Sequence, residues 1–120
     1  MARTESTPFN AHNILTSRTV ISGKICAEED FRIDGIIEGE VICNGKVVVG
    51  RSSVVTGNLQ CTNLELLGEM TGNITCTNTV ILREASKMNG DIATKSIEIE
   101  PGASFSGACF MIAEENSNVI

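Results

Sequence analysis

The sequence predicts an all-β, single-domain parallel β-helix, or β-solenoid, with about six coils of 15–18 residues. Three observations carry that prediction: a glycine recurring at a fixed period, apolar–polar alternation around each copy, and no helical apolar stripe in 120 residues. Gly23, Gly39, Gly57, Gly72, Gly90 and Gly107 lie 16, 18, 15, 18 and 17 residues apart. Two positions before each glycine stand Ile21, Ile37, Val55, Met70, Met88 and Phe105; two positions after stand Ile25, Val41, Leu59, Ile74, Ile92 and Cys109. All are apolar, whereas the residues touching each glycine are almost all polar. In a chain that is 42% hydrophobic, chance would fill twelve such positions with apolar residues about once in 30,000 arrangements.

Alternation over five residues is the signature of a strand with one buried face. A repeat of this length is too short for a strand–helix unit and suits one coil of about three short strands. Stacked in register, equivalent positions sit about 4.8 Å apart, so each column becomes a ladder of like side chains. The expected core ladder is Ile37, Val55, Met70 and Met88 on one column and Val41, Leu59, Ile74 and Ile92 on the next. Burial of each side chain contributes roughly 1.5–3 kcal/mol against about 1–2 kcal/mol of backbone ordering per residue. Only the stack is stable.

The leading strand of each coil is also legible. Phe31 and Ile33, Val47 and Val49, Leu64 and Leu66, Val80 and Leu82, and Ile97 and Ile99 alternate eight or ten residues upstream of a glycine. The corner between the two strands therefore varies by two residues. Turn-forming residues mark these corners: Gly50-Arg51-Ser52, Gly68-Glu69 and Pro101-Gly102. Ile14 and Thr19-Val20-Ile21 read as an earlier, weaker coil. Residues 1–13 read as a flexible arm, 14–112 as the β-helix and 113–120 as a polar tail.

Composition excludes several classes of function. A formal charge of -6 and a pI of about 4.7 leave no basic footprint for nucleic acid, and aromatic stacking platforms are missing. No apolar run is long enough to span a membrane. The N-terminus lacks the apolar centre of a secretory signal, so the chain is expected in the cytoplasm. Cys43, Cys61 and Cys76 each lie four residues after a glycine and should stack as small core side chains. Adjacent coils would hold them farther apart than a disulfide prefers, and no cluster has metal-ligand spacing. Cys26 falls outward; Cys109 is expected to be buried in the last coil. His12 is the single histidine and lies in the arm, while Glu38, Glu40 and Asp91 point outward. No catalytic group, cofactor or metal site is expected.

The ends of the stack offer the functional surface. An open solenoid presents unpaired strand edges and its last layer of side chains unless a cap covers them. The flanking segments are short and polar, and neither predicts a capping helix. Phe105 and Met111, with Phe110 beside them, make one apolar tip; Ile14 and Ile21 lie at the other. End-to-end self-association through these residues would be strand addition, and filaments require both ends to engage.

The run Phe31-Arg32-Ile33-Asp34-Gly35-Ile36-Ile37-Glu38-Gly39-Glu40-Val41 resembles the "(L/F)RIDG.(V/I)EG.(V/I)" signature of the bactofilins. Val47-Val48-Val49-Gly50, Val54-Val55-Thr56-Gly57-Asn58-Leu59, and the ending Ile99-Glu100-Pro101-Gly102-Ala103-Ser104-Phe105-Ser106-Gly107 fit the same family. The resemblance implies a right-handed β-helix of triangular cross-section. It further implies a bacterial cytoskeletal protein that polymerises without nucleotide into non-polar filaments, like ends meeting. Such filaments scaffold cell shape, stalk or wall-synthesis machinery, often beside the inner membrane, so cell-wall enzymes and membrane proteins are the implied partners. Family members commonly use a phenylalanine of the terminal coil at the polymer contact, and Phe105 occupies that position. Many carry a hydrophobic or basic membrane-targeting segment, which residues 1–13, with Arg3 as the only fixed positive charge, match poorly. Two other readings are a monomeric solenoid that recruits wall enzymes and a hexapeptide-repeat acyltransferase or related carbonic anhydrase. The second needs a strict six-residue register and histidines at coil boundaries, which the intervals and the single His12 disfavour.

Overall fold

Apolar–polar alternation broken by turn residues resolves into ten strands and no helix among the described residues, which are 13–112 in this computed structural model. The strands are β1 (Asn13–Leu15), β2 (Val20–Ala27), β3 (Phe31–Ile33), β4 (Ile36–Cys43), β5 (Lys46–Val49), β6 (Val54–Leu66), β7 (Glu69–Leu82), β8 (Lys87–Ile99), β9 (Ser104–Ser106) and β10 (Cys109–Met111). β6, β7 and β8 each carry the glycine-bearing strand of one coil round a corner into the leading strand of the next. Every pairing is parallel, and the coils stack six high. The arm and tail, apart from Asn13, lie outside the described residues, as do His12 and Phe9. Asn13 itself opens β1.

The register follows the sequence period. Ile21, Ile37, Val55, Met70, Met88 and Phe105 pair in succession, as do Ile25, Val41, Leu59, Ile74, Ile92 and Cys109. The eight expected aliphatic and Met ladder residues and Cys43, Cys61 and Cys76 are all buried. Ile33, Val47, Val49, Leu66, Val80 and Leu82 complete the core from the leading strands without exposed surface. Corners of two lengths absorb the variable spacing. Asp34-Gly35 and Leu67-Gly68 turn in two residues; Gly50 to Ser53, Arg83 to Ser86 and Glu100 to Ala103 turn in four. Each of these three four-residue corners closes with an amide donating to the carbonyl three residues back, at 3.0–3.1 Å.

The recurring glycine is a bend that only glycine tolerates. Gly57 has φ of +133°, and a Cβ there would collide with the carbonyl oxygen of Gly39 in the coil beneath. The same collision awaits a side chain at Gly107, against Gly90. At Gly23, in the first coil, that space is open.

One expectation is overturned. Cys109 is exposed, not buried. It keeps the inward register, pairing with buried Ile92, but among the described residues no seventh coil covers it. In an end coil, inward parity alone does not guarantee burial.

Candidate assembly surfaces

Among the described residues the stack ends in two open strand edges: β1 and β2 pair only with the second coil, and β9 and β10 only with β8. At the C-terminal tip Phe105 is half-buried, paired with Met88 and packed on the core. Met111 is 57% exposed, Ile99 49% and Phe110 58%. Phe110 points outward in register with Ala93, so it sits on the rim, whereas Met111 follows Thr94 and Cys76 on an inward column. The N-terminal tip exposes Ile14 and Val20. Ile21 is half-buried against the core in register with Ile37. Ile14 is exposed on the outer face, opposite Arg32, and Leu15 takes the inward place. Asn13 Nδ2 donates to the carbonyls of Glu29 and Asp30, both at 3.3 Å.

Along the leading strands the outer face carries ions of alternating sign, one per coil. Lys46 Nζ lies 3.3 Å from Glu65 Oε1, Arg83 Nε donates to Glu65 Oε2 at 2.7 Å, and Arg83 Nη1 donates to Glu100 Oε2 at 2.6 Å. Partial burial works to raise the Glu65 carboxyl, but hydrogen bonds from Arg83 and Lys46 outweigh it and hold the group below its ordinary range. Arg83, together with the Glu84 amide, lowers Glu100 in the same way. Sequence reading missed this ladder, although Glu65, Arg83 and Glu100 lie 18 and 17 residues apart, one coil each.

Inside, Cys61 Sγ and Cys76 Sγ stand 3.9 Å apart as free thiols. The hydrogen bond from one thiol to the other and burial push Cys61 up. Burial also raises Cys43, whose Sγ donates to the Glu29 carbonyl at 3.2 Å. Raised and buried, the Cys43 and Cys61 thiols are poor nucleophiles. Cys26 is exposed on the first coil. Among the described residues no three His, Cys, Asp or Glu side chains gather as a metal site. A shallow depression lined by Glu40, Asn58, Gln60, Asn73 and Thr75 lies on the face that follows the glycines.

Comparison with known proteins agrees with this architecture. Bactofilin BacP of Myxococcus xanthus (strain DK1622) is 34% identical over 107 residues, which cover 88% of this chain and 45% of BacP. The chain thus spans less than half the length of that curated relative. The solid-state NMR structure of the cytoskeletal bactofilin BacA superposes with a TM-score of 0.76 at 29% identity, covering 85% of this chain and 97% of BacA. A cryo-EM reconstruction of Thermus thermophilus bactofilin double helical filaments shares the fold, with a TM-score of 0.74 at 24% identity over 81% of this chain and 98% of the other. The family model for bactofilins, described as polymer-forming cytoskeletal, matches residues 13–110. A match that runs through all six coils is decisive: the chain belongs to the bactofilin family.

Proposed function

We propose that this chain is a structural rather than catalytic protein that joins end to end into filaments without nucleotide. In the cytoplasm these filaments would form a scaffold for cell shape or cell-wall machinery, on which wall enzymes or membrane proteins gather. The observation that carries this reading is the C-terminal tip, where a strand edge unpaired among the described residues coincides with exposed Ile99, Phe110 and Met111 beside half-buried Phe105. A soluble monomer does not usually leave such a layer bare next to free backbone donors and acceptors. Phe105, Phe110 and Met111 form the contact at that tip, and Ile21 with Ile14 at its rim forms the contact at the other. Stacking one more coil buries the layer and completes its hydrogen bonds, so no nucleotide energy is needed. No helix among the described residues is long and apolar enough to cross a membrane.

The test is negative-stain electron microscopy of the purified chain beside Phe105→Arg. The unsubstituted chain should form long filaments. Phe105→Arg should give short species with the β-rich circular dichroism retained, because its charge sits at an open tip. Long filaments from the variant would remove Phe105 from the interface.

A further inference from the structure

The corner that follows the glycine-bearing strand is one residue longer in the second coil than in the third. Four steps lead from Ile42 to Lys46, whereas three lead between their partners, Gln60 and Asn63. Where β6 continues as strand, β4 stops, and Asn44-Gly45 turns the chain. Glycine is required at 45, because a Cβ there would press on the Asp30 carboxylate, which accepts the Lys46 amide at 2.9 Å. The fold thereby sets an asparagine directly before a glycine, the neighbour that shields its own backbone nitrogen least. Asparagine precedes glycine once more, at Asn89-Gly90, and an aspartate does so at Asp34-Gly35.

We propose that Asn44 is a site of spontaneous deamidation. The Gly45 nitrogen attacks Cγ of Asn44, gives up its proton to solvent and expels the side-chain nitrogen as ammonia, closing a five-membered imide. Water then opens the imide at either carbonyl, leaving aspartate, or isoaspartate with the main chain rerouted through Cβ. Geometry sorts the three candidates. Asn44 is exposed, and its Nδ2 donates to Glu28 Oε1 at 2.9 Å on the surface, a bond of small net strength in water. The Gly45 amide donates to the Cys43 sulfur at 3.4 Å, a weak acceptor. Asn89 is also exposed but lies inside β8, paired with Thr71 below and Ser106 above. Ring closure there must wait for the strands to part. Asp34 offers a carboxylate in place of an amide, and Arg32 holds both its oxygens, at 2.9 and 3.2 Å.

The consequence is a loosened stack. Asn44 joins three coils: its amide donates to the Ala27 carbonyl at 3.0 Å, and its carbonyl accepts from Thr62 Oγ1 at 3.0 Å. The Gly45 carbonyl accepts the Thr62 amide at 3.1 Å. Isoaspartate lengthens the main chain by one atom among these bonds, and either product sets a second carboxylate against Glu28. Both changes weaken the stacking of the first three coils, whether or not the chain is assembled, so the inference does not rest on the end-to-end reading above.

Trypsin separates the two asparagines, since Asn44 falls in peptide 33–46 and Asn89 in peptide 88–95. The purified chain is held in warm, mildly alkaline buffer, and digests are followed by mass spectrometry. Isomerisation at Asp34 leaves the mass unchanged, so a mass gain in 33–46 reports Asn44. That gain should appear at least about tenfold faster than in 88–95, because the strand-paired site reacts only on opening. In denaturant the two rates should converge. The aged chain should melt lower by circular dichroism, as should fresh Asn44→Asp. Asn44→Gln, whose attack would have to close a larger and slower ring, should keep its midpoint through the same incubation. Equal rates in the folded chain, or faster conversion at Asn89, would overturn the site. A midpoint that declines equally in Asn44→Gln would overturn its effect on the stack.

Discussion

Gly57 shows how much of this fold depends on single positions. Its φ of +133° lies where side chains are strained, and the carbonyl of Gly39 already fills the place a Cβ would take. Moving aside means breaking the coil-to-coil register. Gly57→Ala should cost at least about 1–3 kcal/mol, read as a lower thermal midpoint by circular dichroism. Gly23→Ala should cost less, because the strain remains but the space beyond it is open. A polar charge in the ladder acts more severely: Val55 is fully buried, so Val55→Asp strands a carboxylate without a partner and should leave the chain unfolded. The period alone reveals that these positions are special. That Gly57 is limited by a backbone oxygen one coil away is visible only once the coils are stacked.

Between strands, hydrogen bonding and ion pairs fix how one coil sits on the next. The Lys46–Glu65–Arg83–Glu100 ladder ties four coils together on the outer face. Glu65 is held below its ordinary value of 4.5, so its contribution is present above that pH and is lost as acid protonates the carboxylate. The thermal midpoint should therefore fall as pH drops below 4.5, and fall less in Glu65→Gln. At neutral pH Glu65→Gln should cost no more than about 1 kcal/mol, since the partners are partly solvated. An equal decline in both proteins would show that the ladder contributes nothing. The elements themselves were legible in outline, because alternation marks a strand and turn residues mark a corner. Their continuity was not. β6, β7 and β8 each run through a corner as one strand, with the register between coils shifting there, after Cys61 and after Cys76.

At the level of the whole molecule, the proposed tip contacts bury apolar side chains and complete strand edges, so filaments should not depend on charge. At about 1 M salt the screening length shrinks to roughly 3 Å, and filaments should persist. Sedimentation and electron microscopy across a salt series, in buffer free of ATP and GTP, would read this. Filaments that dissolve as salt rises would contradict an apolar contact. The sequence by itself determined the coil period, the inward ladder and the resemblance to bactofilins, because in-register stacking writes the same residue type at the same place in every coil. It could not decide which inward positions are buried, as Cys109 illustrates. It also could not show which outward residues share a face. Burial and facing depend on what lies above, below and beside a residue, and for a chain coiled upon itself those neighbours are a whole coil away in sequence.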